Sequence, residues 1–289
     1  MLVVGSFSIG QLSYALLMPF EFDIATAATS LGNGLYDTPI QERWNIGPGI
    51  ANGGYLMALA ANAMREECGR AHPLTLTAHY LSPGSPGPAQ TQTSVVKAGR
   101  RVATMTGSLT SGGKEVIRLL GSFGDLDATE GAQYNDLTPP DFPSYDELVK
   151  RKPNPDLPPG LHSRLDSRMH PEDAVVMSGL PDAKPTGYPL VRTYFAFADG
   201  RDVDTLALLL AADAGPPVIF NLYGLIGWAP TLELTVHVRA VPAPGPIACR
   251  FYSNVVQGGF FEENGEMWDS TGRLVAMSRQ LALSPLPQA

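Results

Sequence analysis

Leu74-Thr-Leu-Thr-Ala-His79 and Leu232-Glu-Leu-Thr-Val-His237 are two versions of one strand-like stretch, offset by 232 − 74 = 158 residues. The offset holds without a gap to Pro86-Gly87-Pro88 and Pro244-Gly245-Pro246. Ordinary residue frequencies give roughly one identity across such a window. Here Leu, Leu, Thr, His, Pro, Gly and Pro all coincide, so the chain reads as a duplication.

The flanks repeat as well. Before the first stretch lies Asn52-Gly-Gly-Tyr-Leu-Met-Ala-Leu-Ala-Ala-Asn-Ala-Met-Arg65, rich in helix formers, with Asn52 as cap and Gly69 as stop. Before the second lies Asp202-Val-Asp-Thr-Leu-Ala-Leu-Leu-Leu-Ala-Ala-Asp213, halted by Gly215-Pro216-Pro217. Both are apolar nearly all round, which predicts buried helices rather than amphipathic ones. Strand-like runs follow each stretch: 90–97, 102–109 and 115–123, then 247–256, 259–268 and 273–283. Asn264-Gly265 and Ser270-Thr-Gly272 read as turns among the later ones. The expected class is α+β, two tandem copies of an antiparallel sheet wrapped around a central helix. The expected bounds are 20–125 and 186–289, joined by a Pro-rich stretch over 126–185. That stretch is expected to pack on the protein through Tyr134, Phe142, Tyr145 and Leu157, with a short helix over 144–150.

The chain has 289 residues, 44% hydrophobic and 17% charged, with net charge −8. An acidic surface gives no long-range attraction to nucleic acid or an anionic membrane, so neither is an expected partner. The two cysteines, Cys68 and Cys249, form no disulfide framework or zinc spacing, which suits a cytoplasmic location. No metal or cofactor is expected. The apolar stretch 2–20 lacks a basic start and is broken by Gly5, Gly10, Gln11 and Pro19. It reads as an irregular extension rather than a signal peptide or a membrane span.

Trp44-x-Ile-Gly-Pro-Gly-x-x-Asn-Gly-Gly-Tyr55 and His72-Pro-Leu-Thr-Leu-Thr-x-His79-Tyr80 resemble the N-terminal half of double hot-dog acyl-CoA thioesterases. Thr231-Leu-Glu-Leu-Thr-Val-His237 and Met267-Trp-Asp-Ser-x-Gly272-Arg-Leu-Val-Ala-x-Ser-Arg-Gln280 resemble the C-terminal half, as in the acyl-CoA thioesterase II family. The resemblance implies a double hot-dog fold, acyl-CoA as substrate, and a homodimer or higher homo-oligomer. It also implies a water oriented by Asp213, Thr231 and Gln280, with Thr235 an alternative to Thr231 as the hydroxyl. The chemistry is coherent by itself: a thioester needs an activated water and a stabilised carbonyl oxygen. A buried carboxylate serves as base, its pKa raised by desolvation. No Gly-x-Ser-x-Gly elbow is present to supply a serine nucleophile.

Asn52, Gly53, Gly54, Tyr55 and Thr235 are the expected substrate contacts, with the Gly53 and Gly54 N–H groups as oxyanion donors. The bland reading of the two glycines is close packing of the helix. Asp213 ends its own helix, which is unfavourable for the dipole, and nothing nearby in sequence compensates. The repeat equates Thr231 with Pro73 and, one residue out of register, Gln280 with Gly121, so one active site per chain is expected. His79 and His237, being repeat mates, read as structural. Two other functions stay open: a non-catalytic acyl-CoA or lipid binder, and a hot-dog enoyl-CoA hydratase. The hydratase needs an Asp/His pair on one helix, and neither buried helix carries a His.

Overall fold

The computed structural model describes residues 19–128, 131–148, 150, 159–174 and 184–285. The irregular extension expected over 2–20 falls outside these except for Pro19 and Phe20, as does Leu157.

A short helix α1 (Glu21–Ala25) leads into the hairpin β1 (Thr29–Gly32) and β2 (Leu35–Asp37). The small pair β3 (Asn45–Gly47) and β4 (Ile50–Ala51) delivers the chain to α2 (Gly53–Cys68). Asn52 caps α2 by accepting the Tyr55 N–H, and Gly69 ends it in the left-handed conformation, φ 61°. The helix is buried from Gly54 to Met64, as its all-round apolar sequence requires. Strands β5 (His72–Tyr80), β6 (Ala89–Ala98), β7 (Val102–Ser111) and β8 (Lys114–Gly124) follow, and α2 packs against all four.

The second half runs β9 (Arg168–Met169), β10 (Leu190–Phe195), α3 (Ala207–Ala211) and α4 (Ile219–Tyr223). It continues with β11 (Thr231–Val238), β12 (Ile247–Tyr252), β13 (Val256–Gln257), β14 (Phe260–Trp268) and β15 (Leu274–Leu283). Helix α3 is far shorter than its apolar sequence suggests. Asp204, in the turn that precedes the helix, accepts the Ala207 N–H at 2.8 Å, and the helix has no side-chain cap at Leu206.

One antiparallel sheet joins every strand but the separate β3–β4 pair, in the order β1-β2-β6-β7-β8-β5-β11-β15-β14-β12-β10-β9, with β13 beside β14. That order is palindromic about the β5–β11 seam. Thr77 pairs there with Thr235, its own repeat mate at 235 − 77 = 158, and their hydroxyls are 2.8 Å apart. The two copies of the opening motif are therefore hydrogen-bonded to each other. Leu76, Ala78, Leu234 and Val236 point from the seam into the core, while His79 and His237 lie exposed on the opposite face. The two histidines thus share the solvent-facing side of the seam, as strand alternation requires of these positions.

Two expectations need correction. Asn264-Gly265 is no turn: both residues sit inside β14, paired with Arg279 and Ser278 of β15. A side chain at Gly265 would put its Cβ 2.2 Å from Ser278 Oγ and 2.8 Å from the Phe251 ring, so glycine there serves close packing. The reversal occurs instead at Gly258-Gly259, at φ 62° and 81°. The Pro-rich connection is also less irregular than expected. Met169 is buried and Arg168–Met169 extends the sheet edge as β9, while Leu161 and Leu165 enter the core. Phe142 packs tilted and Tyr145 edge-on against Tyr194, a single 3-10 turn spans Tyr145–Glu147, and Tyr134 is 88% exposed and anchors nothing.

Gly265→Ala should therefore lower unfolding stability by about 1–3 kcal/mol through overpacking, read from urea unfolding midpoints. An unchanged midpoint would restore the turn reading.

Candidate active site

A cavity of about 440 Å³ opens between the halves. Its walls include Ile50, Leu56, Phe220, Trp228, Phe251 and Phe261, and its polar groups include Asn52, Tyr80, His162, Asp213, Thr231, Glu263 and Gln280. Asp213, Thr231 and Gln280, far apart in sequence, thus line one space.

Asp213 follows α3, yet the groups that hold it belong to α2. Its Oδ2 accepts the Gly54 N–H at 2.7 Å and the Asn52 Nδ2–H at 2.9 Å, and Asn52 Nδ2 also donates to the Asp213 carbonyl. The compensation absent from the local sequence is the N-terminus of a 16-residue helix in the other half. Burial nonetheless dominates and pushes the Asp213 carboxyl up to about 6, against the pull of the Gly54, Asn52 and Gly53 donors. Gly54 is obligatory here, since a Cβ would stand 2.8 Å from the Leu209 carbonyl and 2.9 Å from Asp213 Cβ.

The Gly54 N–H is thereby engaged by Asp213 and is not free as an oxyanion donor, and the Gly53 N–H bears on the same carboxylate. Gly53 itself lines the cavity; Gly54 supports close helix–helix packing. Tyr55 is also not a substrate contact. It is fully buried, stacks on Trp44 at 5.4 Å, and its hydroxyl donates to the Ala25 carbonyl.

Thr231 reaches the cavity through a bulge. Leu234, Val236 and Val238 face inward, so simple alternation would turn Thr231 outward. The register slips between Thr231 and Glu233, with Thr231 opposite Ala282 and Glu233 opposite Leu281. The extra residue rotates Thr231 inward, where its hydroxyl donates to Gln280 Oε1 at 2.7 Å. Thr235 stays outside, bonded to Thr77 and Glu233. Between the two hydroxyls offered by the sequence, Thr231 is the one beside Gln280.

Glu263 went unnoticed because Glu262-Glu263-Asn-Gly resembles a polar turn. It is 6% exposed, and its Oε1 accepts the Gln280 Nε2–H at 2.7 Å while Oε2 accepts the Val218 N–H at 2.9 Å. Burial raises its carboxyl to about 7, with those donors opposing and the Asp213 and Glu262 charges adding. Continuing the offset of 158 would have exposed it, since its mate is the buried Met105. Tyr80 was also missed. Its hydroxyl is buried without a hydrogen-bond partner among the described residues, and burial, then the Asp213 and Glu233 charges, keep it protonated. His162 comes from the connection between the halves.

His170, Glu172 and Asp173 offer ligand atoms within 4.8 Å of one another. Both carboxylates are already held by Arg192, each at 2.9 Å, which makes the cluster an ion-pair network outside the cavity.

The model of the acyl-CoA thioesterase N-terminal domain matches residues 40–124, and that of the acyl-CoA thioesterase C-terminal domain matches 138–284. The chain belongs to the acyl-CoA thioesterase family. Within the family's reach, an uncharacterised Mycobacterium tuberculosis protein is 30% identical over 93% of this chain and 96% of its own length. A candidate thioesterase II structure from Thermobifida fusca superposes with TM-score 0.82 at 33% identity, over 92% of this chain and 98% of that one. A hot-dog protein of unknown function from Alicyclobacillus acidocaldarius reaches 0.82 at 20% identity, over 94% and 100% of the two chains. The fold is a hot-dog fold. Among the described residues, no helix is long and apolar enough to cross a membrane.

Asn52→Ala removes a donor from Asp213 and the α2 cap together. The Asp213 pKa should move above its present value of about 6, read by carbon-13 titration of the labelled carboxyl. Stability should fall by about 1 kcal/mol from the lost cap. A lower pKa would contradict this account of the site.

Proposed function

We propose that the chain hydrolyses acyl-CoA thioesters, with Asp213 as general base toward a water oriented by Thr231 and, through Thr231, by Gln280. The observation that carries this is the meeting of a near-neutral carboxyl, a hydroxyl and an amide in one apolar-walled cavity. The reading takes the fold as two fused hot-dog units. The back unit supplies the reacting groups, and the front one supplies the helix terminus that holds the base.

Ionised Asp213 removes a proton from water as the water oxygen bonds to the thioester carbon, and the carbonyl electron pair moves onto oxygen. The neutral Tyr80 hydroxyl, without a hydrogen-bond partner among the described residues and at the cavity wall, is a donor suited to that oxyanion. Collapse re-forms the carbonyl and breaks the C–S bond. The departing thiolate takes the proton from Asp213, giving free thiol and carboxylic acid. The apolar walls suit the acyl chain. Among the described residues the lining carries no Lys or Arg, so the CoA phosphates would stay outside the cavity.

Thiol release from a panel of acyl-CoAs tests the reading. Asp213→Asn should lower kcat by about 10²–10⁴-fold, the range of a lost general base. Catalysis needs the ionised acid, so wild-type kcat should fall as pH drops through about 6. Tight acyl-CoA binding without turnover would overturn the proposal in favour of a binding protein.

A further inference from the structure

The duplication provides an internal control for the cavity. Gln280 stands opposite Leu234 and Glu263, as Gly121 stands opposite Leu76 and Met105. Thr231 faces Ala282 across a bulge, as Pro73 faces Phe123 across another. Proline, methionine and glycine therefore satisfy the fold where the back half carries threonine, glutamate and glutamine. The strand pairing at these positions does not demand hydrogen-bonding groups; in the back half the buried Val218 N–H uses Glu263 as its acceptor, and burying a carboxylate is costly. The back half nonetheless builds an unbroken chain: Val218 N–H to Glu263, Gln280 Nε2–H to Glu263, and Thr231 O–H to Gln280.

We propose that Glu263 is a positioning residue whose ionised carboxylate sets the direction of the whole chain, and so the way Thr231 presents itself to water. This rests on the thioesterase reading. A carboxylate only accepts, so the Gln280 NH₂ must face it and the amide oxygen must face Thr231. The single Thr231 proton is then committed to Gln280, leaving its lone pairs to accept one proton of the nucleophilic water. Asp213 takes the other. Both water protons are held, and a water lone pair is free for the thioester carbon.

A protonated Glu263 reverses this. It donates to the Gln280 oxygen, the NH₂ turns to Thr231, and the hydroxyl proton swings into the cavity. There Thr231 donates to the water instead of accepting from it, so one water proton loses its acceptor and one lone pair is taken up. The groups facing Glu263 are Gln280 on β15, the Val218 N–H before α4 and Asp213 across the cavity, with Glu262 beside it on β14. Tyr80 and His162 line the same space. Its carboxyl pKa of about 7 places the reversal near neutrality.

Two measurements on the full chain test the inference. With both carboxylates required ionised, log kcat of the wild type should rise with a slope of about two on the acid side, and Glu263→Gln should reduce it to about one. The variant's kcat should fall at least ~10-fold at high pH while KM stays within about twofold. A slope unchanged in Glu263→Gln would mark a merely structural role and overturn the inference. Independently of turnover, the side-chain amide signals of Gln280 in nitrogen-15 spectra should titrate with the Glu263 carboxyl in the wild type and stand still in the variant. A wild-type Gln280 signal that stays fixed from about pH 5 to about 9, the span in which such a group titrates, also overturns it. Absence of thiol release by the wild type overturns the thioesterase reading instead.

Discussion

The contact between Asp213 and the N-terminus of α2 organises this molecule. It spans 161 residues between Asn52 and Asp213, links the two halves, and buries a carboxylate where it can be kept. The Gly54 N–H and the Asn52 amide make the charge tolerable, and burial keeps it expensive. A carboxyl balanced in this way has its pKa pushed up to about 6, within the range that suits the general base proposed above. Gly54 matters for the same reason: only a residue without a side chain lets α3 and Asp213 come this close to α2.

The β5–β11 seam makes that contact geometrically possible. Pairing at Thr77 and Thr235 brings the start of one copy's helix to the end of the other's. Symmetry of the backbone coexists with asymmetry of chemistry. The same bulge recurs in both copies, yet it presents Pro73 in one and Thr231 in the other. The cavity collects Asp213, Thr231, Glu263 and Gln280 from the back half, and Asn52 and Tyr80 from the front half.

The repeat, the buried first helix and most strands were legible because they depend on local signals: alternation, capping residues and an ungapped offset. Asp213, Thr231 and Gln280 were legible through family resemblance, and the structure brings them to one cavity. What the sequence hid was long-range. The partner that stabilises Asp213 lies in the other half, so local reasoning found only an unfavourable helix end. Tyr55 looked like a contact because it follows the glycines, but the first turn of α2 rotates it into the core. Asn264-Gly265 carried a strong turn signal, and tertiary packing of Phe251 overrode it. That misreading concealed Glu263, one residue upstream.

The most direct test is a crystal structure with an acyl-CoA analogue whose sulfur is replaced by a methylene, retaining the carbonyl but resisting hydrolysis. The account predicts the acyl chain within the apolar cavity and an ordered water bonded to Asp213 and Thr231, about 3–3.5 Å from the carbonyl carbon. A carbonyl bound away from Asp213, or an acyl chain seated outside the cavity, would contradict it.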